Sequence, residues 1–351
     1  MFRAGLAGRY LIRVIRGKTM QNKLYALETM RESVLIISRD GIITYANGQA
    51  REIFDIEADE YPLFRTVLEN SDGSNDGLID MVINIISSGE VMHSEGISFT
   101  NHKGDKYYLY GSCTRMSDND YVLTFTDNTS LMKEIKKRVD STTILILFFM
   151  IACLWTIGVT FWMRAGEPFP VGWLTQIVEV VGIASIFFIT RKTDLKIMDM
   201  GLSPKNIVAT IKRTVLRLAV LLAFMSVVKI IALQVYPSYF PAGRPFWDWS
   251  QADSRLIKYL GTAFLQEFMA RGGVQNSLAN VIWGKHAQDR AIHITSIYFM
   301  ALHFQYGIPM MIGAGVLSII LGYMYKHDGN IYGITLVHYC FGKFADFLSL
   351  I

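Results

Sequence analysis

The 351-residue sequence contains little cysteine, proline or charge. Its three cysteines, Cys113, Cys153 and Cys340, are odd in number and far apart, which argues against a disulfide framework and a CxxC metal site. Only 18% of the residues are charged, and the formal net charge is +4. Lys and Arg lie beside apolar runs rather than on one face, so nucleic acid is not an expected partner.

Composition divides the chain into parts. Residues 1–26 are basic and amphipathic but have neither the continuous apolar core nor the cleavage site of a signal peptide, so we predict a lead-in segment. Charged residues continue to about residue 140, and nearly all the long apolar runs come after it. We therefore predict a soluble domain at 27–132, a charged linker helix at 133–141 and a membrane domain at 142–351.

The soluble part has the pattern of an α+β domain. Two β-rich runs are joined by Arg39-Asp40-Gly41, and Asp-Gly between such runs predicts a hairpin. Short helices are predicted at 46–56 and 77–88. Strand-like runs separated by Gly, Asp and Asn then follow at 96–100, 107–114 and 121–126. The predicted order is two strands, short helices and three antiparallel strands.

These residues resemble a PAS domain. The run from Ser38 to Asn47 (SRDGIITYAN), the nearby Phe54 and the exit from Thr124 to Thr129 (TFTDNT) into a charged helix come in the order of that family. The resemblance covers about 27–137. It implies a small sensor module that binds a ligand or a partner, and it makes a homodimer through this domain a possible assembly.

The PAS ligand is unknown from the sequence. Cys113 lies in a strand without the flavin-cysteine motif of light-sensing relatives. His93 and His102 are haem candidates by residue type alone, and surface positions are the favoured interpretation for both. A purely structural or dimerising PAS domain is an equal alternative. We predict no cofactor for the membrane domain.

Seven apolar segments after residue 141 predict an all-α membrane domain. A helix needs about 20 mostly apolar residues to cross a bilayer, and the segments at 256–269 and 292–304 are shorter and more polar than this. The other five are 142–163, 173–190, 215–235, 309–325 and 331–351. Basic residues precede the first span and recur in alternate loops, so we expect the soluble domain in the cytoplasm and the spans in a bacterial inner membrane.

Several ionisable residues fall within the predicted spans, where an unpaired charge is costly and often functional. Glu267 and Arg271 are four residues apart and can form a pair on one helix face. His303 and His338 lie in later spans. A carboxylate and two histidines can act as a general base and an oxyanion stabiliser, or as metal ligands. The alternative is that they only form hydrogen bonds between helices.

Two further ionisable residues, Glu179 and Lys229, stand alone in the second and third predicted spans. Structural ion pairs are the favoured interpretation for both, ahead of a catalytic role.

The ordered motifs of the membrane part resemble the CPBP family, which includes the type II CAAX prenyl proteases and bacteriocin-processing membrane proteases. That family has Glu-Glu-x-x-x-Arg, Phe-x-x-x-His and His-x-x-x-Asn. The resemblance covers about 142–351 and implies an intramembrane endopeptidase that acts on a peptide or a lipidated protein. The residues at the implied catalytic positions are Glu267, His303 and His338, with Gln266, Arg271, Phe299 and Gly342 in support.

Two positions depart from the family pattern. Gln266 replaces the first glutamate, which is implied to activate the attacking water, and a glutamine cannot accept that proton at neutral pH. Gly342 replaces the asparagine that is implied to hold the oxyanion together with His338. Loss of a general base typically costs about 10²–10⁴-fold in rate, and loss of one oxyanion donor costs about 10²–10³-fold.

Two neighbours are candidate replacements for the missing groups. Glu267 is one residue beyond Gln266, which is about 100° around a helix, so it would replace Gln266 only after a rotation of the helix or a rearrangement of the site. Asp346 lies one turn beyond Gly342 and is a weak candidate for the missing asparagine.

Three functions are compatible with these residues. The first is a protease regulated by the PAS domain through the first span, in which Glu267 and His303 activate water and His338 steadies the oxyanion. The second is an inactive relative that binds a peptide or a lipid and signals its occupancy. The third, a zinc enzyme using the same three residues, is disfavoured because there is no HExxH motif. We predict no metal and favour the protease.

Overall fold

The computed structural model describes residues 25–57, 60–69, 75–88, 92–93, 96–117, 119–240, 245–251 and 255–350. The chain divides into two compact units, Met1–Ile135 and Lys136–Ile351. This division falls inside the predicted linker helix 133–141. Nearly all of the predicted lead-in, together with its arginines, lies outside the described residues.

The first unit contains a six-stranded antiparallel sheet with the order β2-β1-β6-β5, in which β5 also pairs with both β3 and β4. Along the chain, the predicted order of two strands, short helices and three strands is confirmed, with one further short strand and one further short helix. The strands are β1 Ser33–Ser38, β2 Ile43–Ala46, β3 Met92–His93, β4 Ile97–Thr100, β5 Lys106–Arg115 and β6 Asp120–Asp127. The helices of this unit are α1 Gly48–Phe54, α2 Phe64–Leu68 and α3 Asp76–Ser88.

Local chemistry explains how the first hairpin leads into α1. Gly41 has φ +82°, a conformation that costs glycine little and that the turn between β1 and β2 requires. Buried Asn47 caps α1, because its Oδ1 accepts hydrogen bonds from the amides of Ala50 and Val34, both at 3.0 Å. Its amide nitrogen donates to the carbonyl oxygen of Glu32 at 2.9 Å. One side chain therefore joins the helix to the sheet.

Aromatic side chains fill the centre of the sheet domain. The ring of Phe54 lies 5.0 Å from that of Phe99 and 5.2 Å from that of Phe125, and all three are buried. Cys113 is also buried, and desolvation raises the pKa of its thiol to about 12, so it stays protonated at neutral pH. His102 is exposed, as expected of a surface histidine. The side chain of His93 lies outside what the structure describes.

The second unit is helical and contains the predicted membrane segments. The helices are α4 Thr129–Arg164, α5 Gly172–Lys192, α6 Ile207–Val235, α7 Arg255–Glu267, α8 Asn276–Val281, α9 Ala287–Ala301, α10 Ile308–Asp328 and α11 Tyr332–Phe347. A π-helix, Phe268–Gln275, joins α7 to α8. With α7, the π-helix and α8 taken as one continuous segment, the described residues of this unit form seven α-helical segments, whereas the prediction was of seven membrane spans.

Four helices, α4, α5, α6 and α10, are long and apolar enough to cross a membrane, within the part of the chain that the structure describes. Their outer faces expose large apolar side chains: Leu216 is 70% exposed and Phe161 is 69% exposed. Continuous apolar surface of this kind is suited to lipid rather than water. The other predicted spans, in α7, α9 and α11, are shorter helices that carry the candidate site residues.

Close helix contacts in the second unit depend on glycine. A Cβ atom at Gly273 would overlap the ring of Phe148 on α4, a residue that is itself buried. A Cβ atom at Gly272 would overlap the backbone carbonyl oxygen of Met200. The sequence Gly272-Gly273 thus lets the π-helix approach α4 and the segment that follows α5.

We expect Gly273→Ala to destabilise the membrane domain by about 1–3 kcal/mol, because an overpacked core must displace the Phe148 ring. Thermal unfolding of the purified protein in detergent measures this loss. The double variant with Phe148→Leu should recover part of it, since the smaller side chain makes room.

Gly313→Ala is the matched control, because nothing lies within 4 Å of the added Cβ there. This variant should unfold at the wild-type temperature or slightly above it. Equal unfolding temperatures for the Gly273 and Gly313 variants would contradict the proposed overlap.

Candidate active site

The site is built where α7 becomes a π-helix. Glu267 is the last residue of α7, and Arg271 lies within the π-helix Phe268–Gln275. Both side chains are fully buried. A π-helix inside an α-helical segment is uncommon and frequently occurs at functional sites. This π-helix was not predicted from the sequence, although the adjacent glycines Gly272 and Gly273 mark the place of its close packing.

Arg271 organises the buried polar groups. Its Nε donates to Oε2 of Glu267 at 3.0 Å, as the four-residue spacing predicts. Its two terminal nitrogens donate to Oε1 of Gln275 at 3.2 Å and to Oγ of Ser318 at 2.9 Å. Ser318 lies on α10, so the guanidinium group links two helices and its charge is balanced by Glu267.

Glu267 also holds His338. Oε1 of Glu267 lies 2.8 Å from Nδ1 of His338, which is buried on α11. The ion pair with Arg271 keeps the Glu267 carboxylate an acceptor, so Nδ1 of His338 carries the proton. Nε2 is the ring nitrogen left for other partners. The carboxylate therefore fixes the orientation of this histidine.

This geometry disagrees with the expected role of Glu267 in activating water. Both of its carboxylate oxygens are occupied, one by Arg271 and one by His338, and its side chain is 0% exposed. A carboxylate held in this way is suited to orienting His338 and is poorly placed to receive a proton from water.

His303 lies just beyond the end of α9. Its Nδ1 lies 2.8 Å from the carbonyl oxygen of Phe299, so Nδ1 donates the hydrogen bond and a neutral ring has Nε2 as an acceptor. The Phe299 ring is 4.6 Å from the His303 ring and 6.0 Å from the His338 ring, between centroids. The structure thus brings Glu267 and His338 into contact and places His303 beside the same phenylalanine.

The two departures from the family motif have different surroundings. Gln266 is half-buried and makes no hydrogen bond within the described part of the chain. At Gly342, a Cβ atom would overlap the hydroxyl group of Tyr259, which comes from α7. The Tyr259 ring also meets the His338 ring edge-on, with centroids 6.1 Å apart. Tyr259 was not predicted as a site residue.

Asp346, the weak candidate to replace the asparagine, is occupied elsewhere. Its Oδ2 accepts from Nζ of Lys343 at 2.7 Å. Lys343 also lies over the Tyr259 ring, 5.0 Å from its centroid. Asp346 is therefore committed to a lysine within its own helix.

The isolated residues Glu179 and Lys229 make polar contacts that join helices. Glu179 on α5 accepts a hydrogen bond from the hydroxyl of Thr262 on α7. Buried Lys229 on α6 donates to the carbonyl oxygen of Leu348 at 2.5 Å and lies 3.8 Å from the centroid of the Phe240 ring. Among the described residues Glu179 therefore contacts a hydroxyl group rather than the cation of the expected ion pair. For Lys229 the expected ion pair stays a prediction.

A metal site finds no support in the described residues. No three His, Cys, Asp or Glu residues among them are arranged to hold a metal ion. Glu267, His303 and His338 therefore do not form a ligand set, and the zinc interpretation lacks its central requirement.

Comparison with protein families gives one match. Residues 249–342 match the family described as type II CAAX prenyl endopeptidase Rce1-like. The matched stretch includes every predicted position from Gln266 to Gly342, and it covers about a quarter of the chain. No curated protein sequence matches the chain.

Solved structures similar to the N-terminal part are PAS and LOV domains. One is an RNA-binding light-oxygen-voltage receptor, with a TM-score of 0.28 and 14% identity over 32% of this chain and 34% of that one. The chain thus spans about a third of that receptor. Another is a PAS domain from Colwellia psychrerythraea, with a TM-score of 0.27 and 10% identity over 32% of this chain and 98% of that one. A third is the LOV domain of a blue-light activated histidine kinase from Erythrobacter litoralis EL346, with a TM-score of 0.25 and 14% identity over 28% of this chain and 96% of that one.

We expect Glu267→Gln to destabilise the membrane domain by about 3–5 kcal/mol, because it leaves the buried Arg271 guanidinium without its counter-charge. Thermal unfolding in detergent measures the effect. A control is Asp289→Asn, which removes a partly exposed pair with Lys326 and should leave the unfolding temperature nearly unchanged. Similar losses for both variants would argue against a structural role for the buried pair.

Proposed function

We propose that this protein is a membrane endopeptidase that hydrolyses a peptide bond in its membrane domain under the control of its PAS-like domain. The observation that carries the proposal is that two histidines lie beside one phenylalanine and are oriented by different hydrogen-bond acceptors. His338 is oriented by the buried Glu267 carboxylate, and His303 is oriented by the Phe299 carbonyl. Each histidine has Nε2 left for chemistry, and both rings lie beside Phe299.

In this mechanism His303 is the general base. Its Nε2 takes a proton from a water molecule whose oxygen attacks the carbonyl carbon of the scissile bond. The carbonyl oxygen becomes an oxyanion, which the Nε2–H group of a protonated His338 stabilises. When the carbon–nitrogen bond breaks, the proton held by His303 passes to the departing amine. Hydrolysis is then complete, and the residues return to their starting states.

The neighbouring residues have positioning roles in this mechanism. Glu267 fixes the His338 ring and stabilises its positive charge, while Arg271 keeps Glu267 in place. Gln266 cannot act as a base, but its amide can donate and accept hydrogen bonds and so orient the water or the peptide.

The proposed substrate is a peptide or a lipidated protein that reaches the site from the bilayer. The family name that matches residues 249–342 refers to prenylated CAAX substrates, so a prenylated peptide is the first probe to use. We propose that the protein lies in a bacterial inner membrane with its N-terminal domain in the cytoplasm, following the distribution of Lys and Arg.

Helix α4 is the proposed route for control by the sensor. It contains both the charged segment 133–141 and the first membrane span. Phe148 of α4 touches Gly273 of the π-helix and accepts a hydrogen bond on its carbonyl oxygen from Tyr298 at 2.8 Å. The indole nitrogen of Trp155 donates to the carbonyl oxygen of Leu302, the residue before His303, at 3.3 Å. A shift of α4 would therefore act on both halves of the site.

A second function has one observation in its favour. Gln266 cannot take a proton from water, and the adjacent Glu267 is fully occupied by Arg271 and His338. On this basis the membrane domain would be an inactive relative that binds a peptide or a lipid and signals its occupancy. The two functions differ in the result expected when a glutamate is placed at residue 266.

The test is cleavage of internally quenched peptides by the full-length protein in detergent. One peptide carries an S-farnesyl cysteine followed by three residues, and its control lacks the farnesyl group. We expect wild-type cleavage, with a loss of about 10²–10⁴-fold in kcat for His303→Ala because the general base is gone. Measuring both peptides shows whether the lipid contributes to recognition.

The variant Gln266→Glu separates the two functions. It should change kcat only slightly if His303 is already the base. An inactive wild type that gains cleavage of at least about 10²-fold with this variant would instead identify a binding protein that has lost its base. An active wild type that retains full activity with His303→Ala would refute the assigned role of this histidine.

A further inference from the structure

We infer that the hydroxyl group of Tyr259 is a second oxyanion donor beside His338, in the space that Gly342 leaves open. This inference rests on the proposed function. The interaction would be a hydrogen bond from the tyrosine O–H to the carbonyl oxygen of the peptide bond under attack. Tyr259 would then be a catalytic residue contributed by α7, where the sequence pattern of the family places its donor on α11.

The packing of Tyr259 against Gly342 is tight and specific. An added Cβ atom would overlap the hydroxyl oxygen and lie 2.9 Å from both Cε1 and Cζ of the ring. These distances are far below ordinary van der Waals separation, so a larger residue at 342 would have to displace the tip of the Tyr259 side chain. The tip of the Tyr259 side chain therefore occupies the volume in which a larger side chain at 342 would begin.

Tyr259 and His338 are neighbours in the site. Gly342 is four residues after His338, so the two lie one turn apart on one face of α11. The Tyr259 ring meets the His338 ring edge-on at 6.1 Å between centroids. On α7, Tyr259 precedes Gln266 by seven residues, which places them on one face about two turns apart. The hydroxyl thus belongs with the residues that define the proposed site.

The hydroxyl group of Tyr259 is available for a ligand. It makes no hydrogen bond with any residue that the structure describes, although its ring is packed between α7 and α11. The hydroxyl oxygen keeps some exposed surface, so it is accessible to a ligand. Nδ1 of His338 is already held by Glu267, so that nitrogen does not compete for the hydroxyl. In the proposed reaction a substrate oxygen would accept the hydrogen bond from the Tyr259 hydroxyl.

The chemistry of a tyrosine suits this role. A neutral phenol donates a short hydrogen bond to a negatively charged oxygen, and such bonds are roughly twice as strong as neutral ones. The donor is also held in place by packing, with Gly342 at its tip and Lys343 over its ring. A donor that is already oriented stabilises developing charge without first having to be reorganised.

Tyr259→Phe tests the inference because it removes only the hydroxyl oxygen and keeps the ring. We expect kcat for the quenched peptide to fall about 10²–10³-fold, while KM changes by less than about threefold, since the donor acts on the transition state. Thermal unfolding in detergent should change little, which distinguishes lost catalysis from lost packing. A tyrosine that merely fills space would give the Phe variant near-wild-type kcat.

A transplanted donor provides the second arm of the test. Tyr259→Leu frees the volume at residue 342, and Tyr259→Leu with Gly342→Asn then places an amide donor on α11. We expect the double variant to exceed the single Tyr259→Leu variant in kcat by at least about tenfold. Gly342→Asn alone should lower activity, because its Cβ overlaps the tyrosine.

The outcomes separate this inference from the proposed function. An active wild type with unchanged kcat in Tyr259→Phe overturns the role of Tyr259 and leaves the protease intact. A wild type that cleaves neither peptide, with no gain in Tyr259→Leu plus Gly342→Asn, overturns both. A loss in Tyr259→Phe together with recovery in the double variant supports the shared role of these two positions.

Discussion

The buried ion pair between Arg271 and Glu267 is the constraint on which the rest of the membrane domain depends. A guanidinium group with no exposed surface must have its charge balanced and its donors satisfied, and here Glu267, Gln275 and Ser318 do this. These partners come from α7, the π-helix and α10, so satisfying one charge fixes three elements relative to one another. The π-helix lies at the same place, and Gly272 and Gly273 allow it to approach its neighbours. Loss of Glu267 would leave the Arg271 charge unpaired in an apolar surrounding, which is why the site depends on this ion pair.

Because Glu267 is bound to Arg271, it has a different role from the adjacent Gln266. Glu267 uses one oxygen for Arg271 and the other for His338, so it orients the histidine and has no free oxygen for water. Gln266, on a different face of the helix, is free of hydrogen bonds in the described part of the chain but cannot accept a proton. Proton transfer in the proposed mechanism thus falls to His303, whose Nδ1 is bound to the Phe299 carbonyl. His303 is held by a backbone carbonyl and His338 by a carboxylate. This difference allows one ring to act as the base and the other as the oxyanion donor.

Local patterns in the sequence were sufficient to predict most of the fold, and contacts between distant residues were not predictable. Alternation and turn residues predicted the order of the strands, and apolar length predicted the four helices that are long enough to cross a membrane, because both depend on neighbouring residues. The four-residue spacing of Glu267 and Arg271 likewise predicted their pairing. The contact of Glu267 with His338 and that of Tyr259 with Gly342 join positions 71 and 83 residues apart, as the sequence numbering shows. The π-helix escaped prediction for a related reason, since its stability comes from packing against Phe148 and Met200 rather than from local propensity.

The glycine at residue 342 shows why a missing motif residue is better judged in three dimensions than by position. From the sequence alone, Gly342 is a lost oxyanion donor, and with Gln266 it suggests an inactive protein. In the structure the same glycine is required for Tyr259 to reach past α11 and lie beside His338. A side chain at 342 would displace the tip of the tyrosine, so the two residues form one packing unit although they lie on different helices. A donor can therefore be absent from its usual position while a donor group is still present in the site.

No neighbouring carboxylate replaces the missing base at residue 266 in the same way, because Glu267 is already bound on both oxygens. Proton transfer in the proposed reaction therefore depends on His303, whose Nδ1 donates to the Phe299 carbonyl oxygen.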